Sequence, residues 1–221
     1  MTTERETELS HRARWGLAAA VQKALVSRLR WWFGLRIYGI YARPVALPEE
    51  PDPVVPGYSH RLFEEAQAEE LIACSRDPEL DLPESFIRDA LAKGDICDAI
   101  LHDGRAVSYR WSAFTPTHDD SGVYVRFDEG YRYGYKTYTL PQYRGRHLLG
   151  GKTRLTEARW ISRGCASAIA FVAIDNRSSI RRALVMGSRR VGFAGYLKRG
   201  GIFLPFRTPG VRRCGVSFFM P

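Results

Sequence analysis

The ten residues Thr139-Leu140-Pro141-Gln142-Tyr143-Arg144-Gly145-Arg146-His147-Leu148 constrain the fold of this chain more than any other stretch. A strand-like run from Tyr131 to Leu140 stops at Pro141, a short turn rich in arginine and glycine follows, and the pattern reads as helix from about Leu148. A strand that feeds a helix through such a turn makes a site for an anion. The first amides of the helix have no partner within it, and the helix dipole favours negative charge there. Gly145 lets the backbone approach a ligand without a side chain in the way. Arg144 and Arg146 add positive charge at the same place. The plain alternative is an ordinary strand-to-helix connection whose arginines face water.

A second segment, Ala170 to Phe193, reads as a buried strand, a helix start at Asn176, about three helical turns, a stop at Gly187 and a further strand. Together the two segments resemble the GNAT superfamily of acyl-CoA-dependent N-acyltransferases. That family's pyrophosphate loop, Gln/Arg-x-x-Gly-x-Gly/Ala, is matched by Gln142 and Gly145, with His147 in the last place. Its Asn-x-x-Ser/Ala helix, ending in Gly-Phe, is matched by Asn176, Ser179 and Gly187, with Ser188 replacing the Phe. The resemblance covers about Asp95 to Phe193, less than half of the chain. Two departures matter: His147 stands where a small residue is usual, and Ala183 stands where many members carry a Tyr that protonates the departing thiolate.

The resemblance implies an α/β (α+β) fold, a central mixed but mostly antiparallel sheet flanked by helices. It implies direct attack of an acceptor amine on an acyl-CoA or acetyl-CoA thioester, which needs a base, an oxyanion donor and an acid. By motif position, Gln142 and Arg144 belong to the loop, and the amides of Gly145, Arg146, His147 and Leu148 hold the phosphates. Thr139 and Leu140 hydrogen-bond the pantetheine, a main-chain N–H near Thr139 polarises the thioester, and Asn176 sits beside the thiol end. No motif fixes the base. Glu129, just before the donor strand, and His102, at a strand end, are the candidates, though residues in such places are more often simply turn residues. Tyr196 is the candidate for the acid missing at Ala183. Of Tyr133, Tyr135 and Tyr138, some line the acceptor cleft and others are core.

Gly145, Gly151, Lys152 and Thr153 approximate a Walker A loop, but five residues separate the glycines where four are needed. Lys152 then reads as a solvated helix residue or a contact to a ligand phosphate. The four cysteines, Cys74, Cys97, Cys165 and Cys214, are unpaired in spacing, which argues against a disulfide framework or a zinc site and fits a reducing, cytoplasmic setting. The five histidines show no ligand spacing either, so no metal is expected.

The net charge of +9 is unevenly spread: residues 130–221 hold 18 Lys and Arg against two acidic residues. An anionic donor fits, whether coenzyme A or the acidic surface of an acyl carrier protein. Nucleic acid fits the charge as well, but no recognised binding motif is present. Between Leu9 and Leu47 there is no acidic residue, and Leu17, Val21, Leu25 and Leu29 form one helical stripe near Trp15, Trp31, Trp32 and Phe33. Such a basic amphipathic helix has three candidate partners: the domain itself, a second copy in a homodimer, or an anionic membrane surface at the inner face. The expected organisation is residues 1–43 as this segment, 44–57 as a proline-rich linker, and 58–221 as the acyltransferase-like domain.

Between linker and loop, residues 60–75 and 83–93 read as helices, 95–102 as a strand, Asp103-Gly104 as a hairpin turn, and 105–114 and 123–127 as continuing strands. Three functions remain open: a CoA-dependent N-acyltransferase; the same fold taking long acyl chains from acyl carrier protein at a membrane; and a catalytically degenerate binding module.

Overall fold

The computed structural model describes residues 16–49, 55–118, 122–146, 148 and 153–221. Its centre is an eight-stranded sheet. In chain order the strands are β1 (Leu35–Pro44), β2 (Tyr58–Phe63), β3 (Ile96–His102), β4 (Arg105–Ala113), β7 (Tyr131–Thr139), β8 (Ser167–Ala173), β9 (Arg189–Arg199) and β10 (Ile202–Arg207). In space they run β10-β9-β1-β8-β7-β4-β3-β2, and a second sheet of three is formed by β11 (Ser217–Phe219), β6 (Tyr124–Arg126) and β5 (Thr117–His118). All pairs in the large sheet are antiparallel except β7 with β8. This is the mixed, mostly antiparallel sheet with flanking helices that the sequence implies.

Successive residues of a strand face opposite sides, so partners of neighbouring residues assign the helices to faces. Tyr109 and Trp111 point into a core with Leu71, Leu80, Ile87 and Leu91, contributed by helices α2 (Ala68–Cys74) and α3 (Glu84–Ala92) and the turn between them. Arg110, between them, points the other way, under helix α4 (Arg154–Ser162) and its Trp160. Helix α5 (Arg177–Val185) lies on that second face too, packing Ala183 against Tyr41 and Val172. The small sheet covers the first face beside β1, β8 and β9, where Phe218, Val216 and Val211 join Ile40, Ile169 and Tyr196.

The turn at Asp103-Gly104 has φ of 49° and 74°, the double left-handed geometry that an Asp-Gly hairpin provides. Four expectations need correction. Residues 60–75 are not one helix. Tyr58–Phe63 is the edge strand β2, because alternate side chains pack on β3, and the helix starts only at Ala68. The segment 123–127 does not extend the large sheet, but pairs through Val125 with Phe218. The chain is not helical from Leu148: the helix begins at Arg154, where the Thr153 hydroxyl accepts the Thr156 N–H. Finally, residues 35–43 are no appendage, since β1 pairs with β8 on one side and β9 on the other. The boundary expected after residue 43 falls inside an interior strand. The following stretch is tied down as well, by Val45 N–H to Ala166 C=O and Ala46 N–H to Glu157.

Helix α1 (Leu17–Phe33) leads directly into β1. It docks through polar contacts to the end of β8: Gln22 Nε2 donates to Ile174 C=O, Arg177 donates to Gln22, and Arg30 pairs with Asp175. Ala20 is buried, whereas Val21, Leu25 and Trp31 are 58%, 57% and 78% exposed. Val21 and Leu25 of the apolar stripe thus face away from the domain, as Trp32 and Phe33 do, while Leu29 is half-buried. No helix among the described residues is long and apolar enough to cross a membrane.

Candidate active site

Strands β7 and β8 pair only from Tyr131↔Ser167 to Tyr133↔Ile169. Beyond that point β7 stays with β4, up to Thr139↔Ser108, while β8 stays with β1, up to Ala173↔Tyr38. Each strand is held by its antiparallel neighbour, so the two separate and leave a V-shaped cleft of about 320 Å³ through the middle of the sheet. A bulge sharpens the separation. Trp111 opposes Tyr135 and Arg110 opposes Thr137, which leaves Lys136, at φ 36°, without a partner residue on β4. Bulges re-aim main-chain groups and increase local twist.

One wall of the cleft is β7 from Arg132 to Thr137, the other is β8 with Asn176, Ser179, Arg182 and Ala183 of the following helix. Asn176 is the helix cap the motif requires, its Oδ1 accepting the Ser179 N–H at 3.1 Å, and Gly187 closes the helix at φ 79°. Tyr133 and Phe171 stack across the two strands with ring centroids 3.9 Å apart. Tyr135 donates its hydroxyl to Asp95 at 2.5 Å, and Lys93 pairs with the same carboxylate. Burial pushes the Asp95 carboxyl up in spite of these two partners.

Among the described residues the lining contains no carboxylate. It contains instead Arg43, Arg110, Arg132, Lys136 and Arg182. Behind them lie two fully buried acids. Glu157 takes both Nη atoms of Arg43, and Asp98 takes Arg110, Thr156 and, at 2.5 Å, His60. Burial alone would raise the Asp98 carboxyl; Arg110 and His60 overcome it and hold the group well below the usual carboxylate range.

At the open end of the cleft, Pro141–Tyr143 forms one tight turn and Gly145 follows with φ 80°. Arg144 Nε donates to Thr139 C=O at 3.0 Å, and Arg146 donates to the Tyr58 hydroxyl at 2.7 Å. Both arginines and Gln142 are exposed, so the basic turn is present as expected. His147 and residues 149–152, including Lys152, lie outside the described residues. Leu140 donates its N–H to Val107 C=O, which by the alternation of the ladder turns the main chain of Thr139 away from β4. Leu140 itself does not offer groups to a ligand: its carbonyl accepts the Tyr143 N–H and its side chain is core. Leu148 packs against the same core.

None of the three acid–base candidates reaches the cleft. Glu129 is exposed in the turn before β7, where Tyr131 N–H closes on Asp128 C=O. His102 lies at the far edge of the turn, stacked on Tyr58 with its Nδ1 3.3 Å from the Tyr143 hydroxyl. Tyr196 is buried among Tyr38, Phe203 and Phe218 on the opposite side of β1. Sequence reasoning also missed the arginines. A signal existed for two of them, since Arg110 and Arg132 each sit within a strand whose neighbours are aromatic. Arg43 was hidden in a segment read as an appendage.

No family model matches the chain, and no curated protein does. Solved structures are similar to it in architecture. A Drosophila protein of 16% identity aligns over 82% of this chain and 56% of its own, with a TM-score of 0.48. A tandem GNAT protein from the clavulanic acid biosynthesis pathway is 16% identical, over 74% of this chain and 55% of its own, at a TM-score of 0.45. An aminoglycoside N-acetyltransferase in complex with CoA is 15% identical, over 61% of this chain and 91% of its own, at 0.41. The alignments thus span little more than half of the first two structures, and what the cleft does is argued from this chain's own residues.

Proposed function

We propose that the chain is an N-acyltransferase that takes an acyl group from a CoA thioester and gives it to an amine by direct attack. The observation that carries this reading is the parted pair β7/β8, which leads from a basic glycine turn to a cationic floor. Parted strands expose main-chain groups that an amide-bearing arm satisfies as an added strand would. The phosphates at the far end of such an arm fall to the turn of Arg144, Gly145 and Arg146. Five cations and, among the described residues, no carboxylate along the lining set the proton chemistry. They favour the neutral form of an amine bound near them, and they stabilise a thiolate. The amine nitrogen attacks the thioester carbon, the C–S bond breaks with its electron pair on sulfur, and the amine proton passes to water. No phenol is then needed at position 183.

The test is thermal stabilisation by acetyl-CoA, a long-chain acyl-CoA and free CoA, on wild type and Gly145→Glu. A Cβ at Gly145 would meet nothing within 4 Å, so the new carboxylate enters the turn at a backbone cost of about 1–2 kcal/mol. At saturating ligand the wild type is expected to rise by about 5–10 °C and the variant not at all. No rise with any ligand, or an equal rise in the variant, would remove the donor reading.

A second reading adds a membrane, so that the enzyme takes a long acyl chain there. It is favoured by the outward stripe of α1, whose helix carries Lys23, Arg28 and Arg30 and no acid and docks beside Asn176. Deleting residues 1–43 would remove an interior strand, so the informative variant is Val21→Asp with Leu25→Asp and Trp31→Ser. Wild type is expected to sediment with anionic vesicles and the variant to stay in solution; equal sedimentation would end this reading.

A further inference from the structure

We propose that the closed end of the cleft is a carboxylate site, in which Arg132 receives a carboxylate borne either by the acyl group or by the acceptor amine. The inference rests on the acyltransferase reading. Three guanidinium groups, from Arg43, Arg110 and Arg132, surround the single indole of Trp160, at 5.6, 5.5 and 3.5 Å from its centroid. All three residues are at most 5% exposed. Among the described residues, the carboxylates buried against these guanidiniums are those of Glu157 and Asp98, and they engage Arg43 and Arg110. Among the described residues Arg132 has no ion-pair partner. Its Nη1 reaches Ser112 Oγ at 3.5 Å, its Nε has no acceptor, and neither do Nε and Nη1 of Arg110. A buried, unneutralised guanidinium is costly, and burial together with the repulsion of Arg110 and Arg43 pulls the Arg132 pKa well below its usual value. An anion entering beside it removes that cost.

The backbone leaves the way open. Arg132 and Arg43 both pair with Ala168, at the point of the V, and Gly134 is the next β7 residue on the Arg132 face. A Cβ on Gly134 would come within 2.8 Å of Arg132 Nη1, so the glycine keeps that guanidinium reachable from the cleft. The run from Thr139 back to Gly134 is about 17 Å of strand. A donor arm laid along it brings its acyl group to Arg132, and an acceptor attacking that acyl group brings its own substituents there too. A planar carboxylate fits the fork of a guanidinium.

Two calorimetric comparisons on the full chain distinguish the sources. The first sets succinyl-CoA against acetyl-CoA. The second sets phenylalanine against phenethylamine, with and without free CoA. In one of them the carboxylate ligand is expected to bind about 10- to 100-fold tighter, and Arg132→Gln to reduce that preference to about threefold or less. Lack of preference in both comparisons with wild type overturns the proposal whether or not the variant folds, and so does a preference that survives Arg132→Gln. Absence of acetyl-CoA binding would count against the donor reading alone, because the amino-acid comparison without CoA still decides the carboxylate site.

Discussion

Asp98→Asn is expected to destabilise the protein by about 3–5 kcal/mol at pH 7, and with it to lower Tm by about 6–20 °C. The substitution keeps the shape and removes one charge. That charge sits 1% exposed on β3, opposite Arg110 on β4, and also holds His60 and Thr156. Without it Arg110 joins Arg132 as a buried cation lacking an acid, next to the Arg43–Glu157 pair. Breaking one partner of a buried pair costs far more than the pair contributes, because the other charge stays desolvated. The sign of the pH dependence follows from the depressed carboxyl. Its stabilisation is complete above the unfolded-state pKa near 3.9 and is lost as pH falls below it toward the folded value. The gap between wild type and variant should therefore be widest at neutral pH and narrow below about pH 4, as read by urea unfolding at pH 7, 5 and 3. A gap under about 1 kcal/mol at pH 7, or one that is the same at pH 7 and pH 3, would show that Asp98 does not neutralise this cluster.

The parts of the fold that were legible in the sequence are those fixed by local rules. Asp103-Gly104 makes its turn through two left-handed residues, Asn176 caps its helix with its own side chain, and Gly187 ends it. Each depends on neighbours within four residues. The errors arose where partners are distant. Tyr58–Phe63 is a strand because β3 lies beside it, and the acidic residues that follow it repeat with helical spacing and extended the helix reading backwards. Residues 35–44 are rich in Ile and Tyr, yet what makes them an interior strand is pairing with β8 and β9, more than 120 residues away in sequence.

The site divides in the same way. The basic turn at Gly145 and the helix cap at Asn176 are local motifs, legible from residues close in sequence. The floor of the cleft is assembled from β1, β4, β7 and α5, and no spacing within one segment announces it. Glu129 before the donor strand, His102 at a strand end and Tyr196 as a stand-in for the acid absent at Ala183 were all local readings, and none of the three lines the cleft, which is defined by the place where β7 leaves β8. Ala183 is packed against Tyr41 and Val172, with Arg182 next to it on the same helix, while Arg110, Arg132 and Lys136 come from β4 and β7.

Gly134→Val tests that geometry directly. Gly134 pairs with Ser112 on β4 one residue beyond the last β7/β8 pair, and its φ is not positive, so a valine backbone is unstrained there. Its side chain must enter the cleft, since the Cβ would stand 2.8 Å from Arg132 Nη1 and 3.9 Å from Ile169 C=O. Folding should change by no more than about 1 kcal/mol, because a β-branched residue suits a strand and offsets the displacement of one guanidinium. Acyl-CoA affinity, by contrast, is expected to fall at least about 100-fold, the loss on the order of 3 kcal/mol that exclusion of a buried arm brings. Adenosine 3′,5′-bisphosphate lacks the arm, and its binding should survive Gly134→Val and be lost in Gly145→Glu. The two glycines thus mark opposite ends of one ligand. A Gly134→Val protein that binds acyl-CoA like wild type would mean that the arm does not pass between β7 and β8, and that the separation of these strands serves something other than acyl transfer.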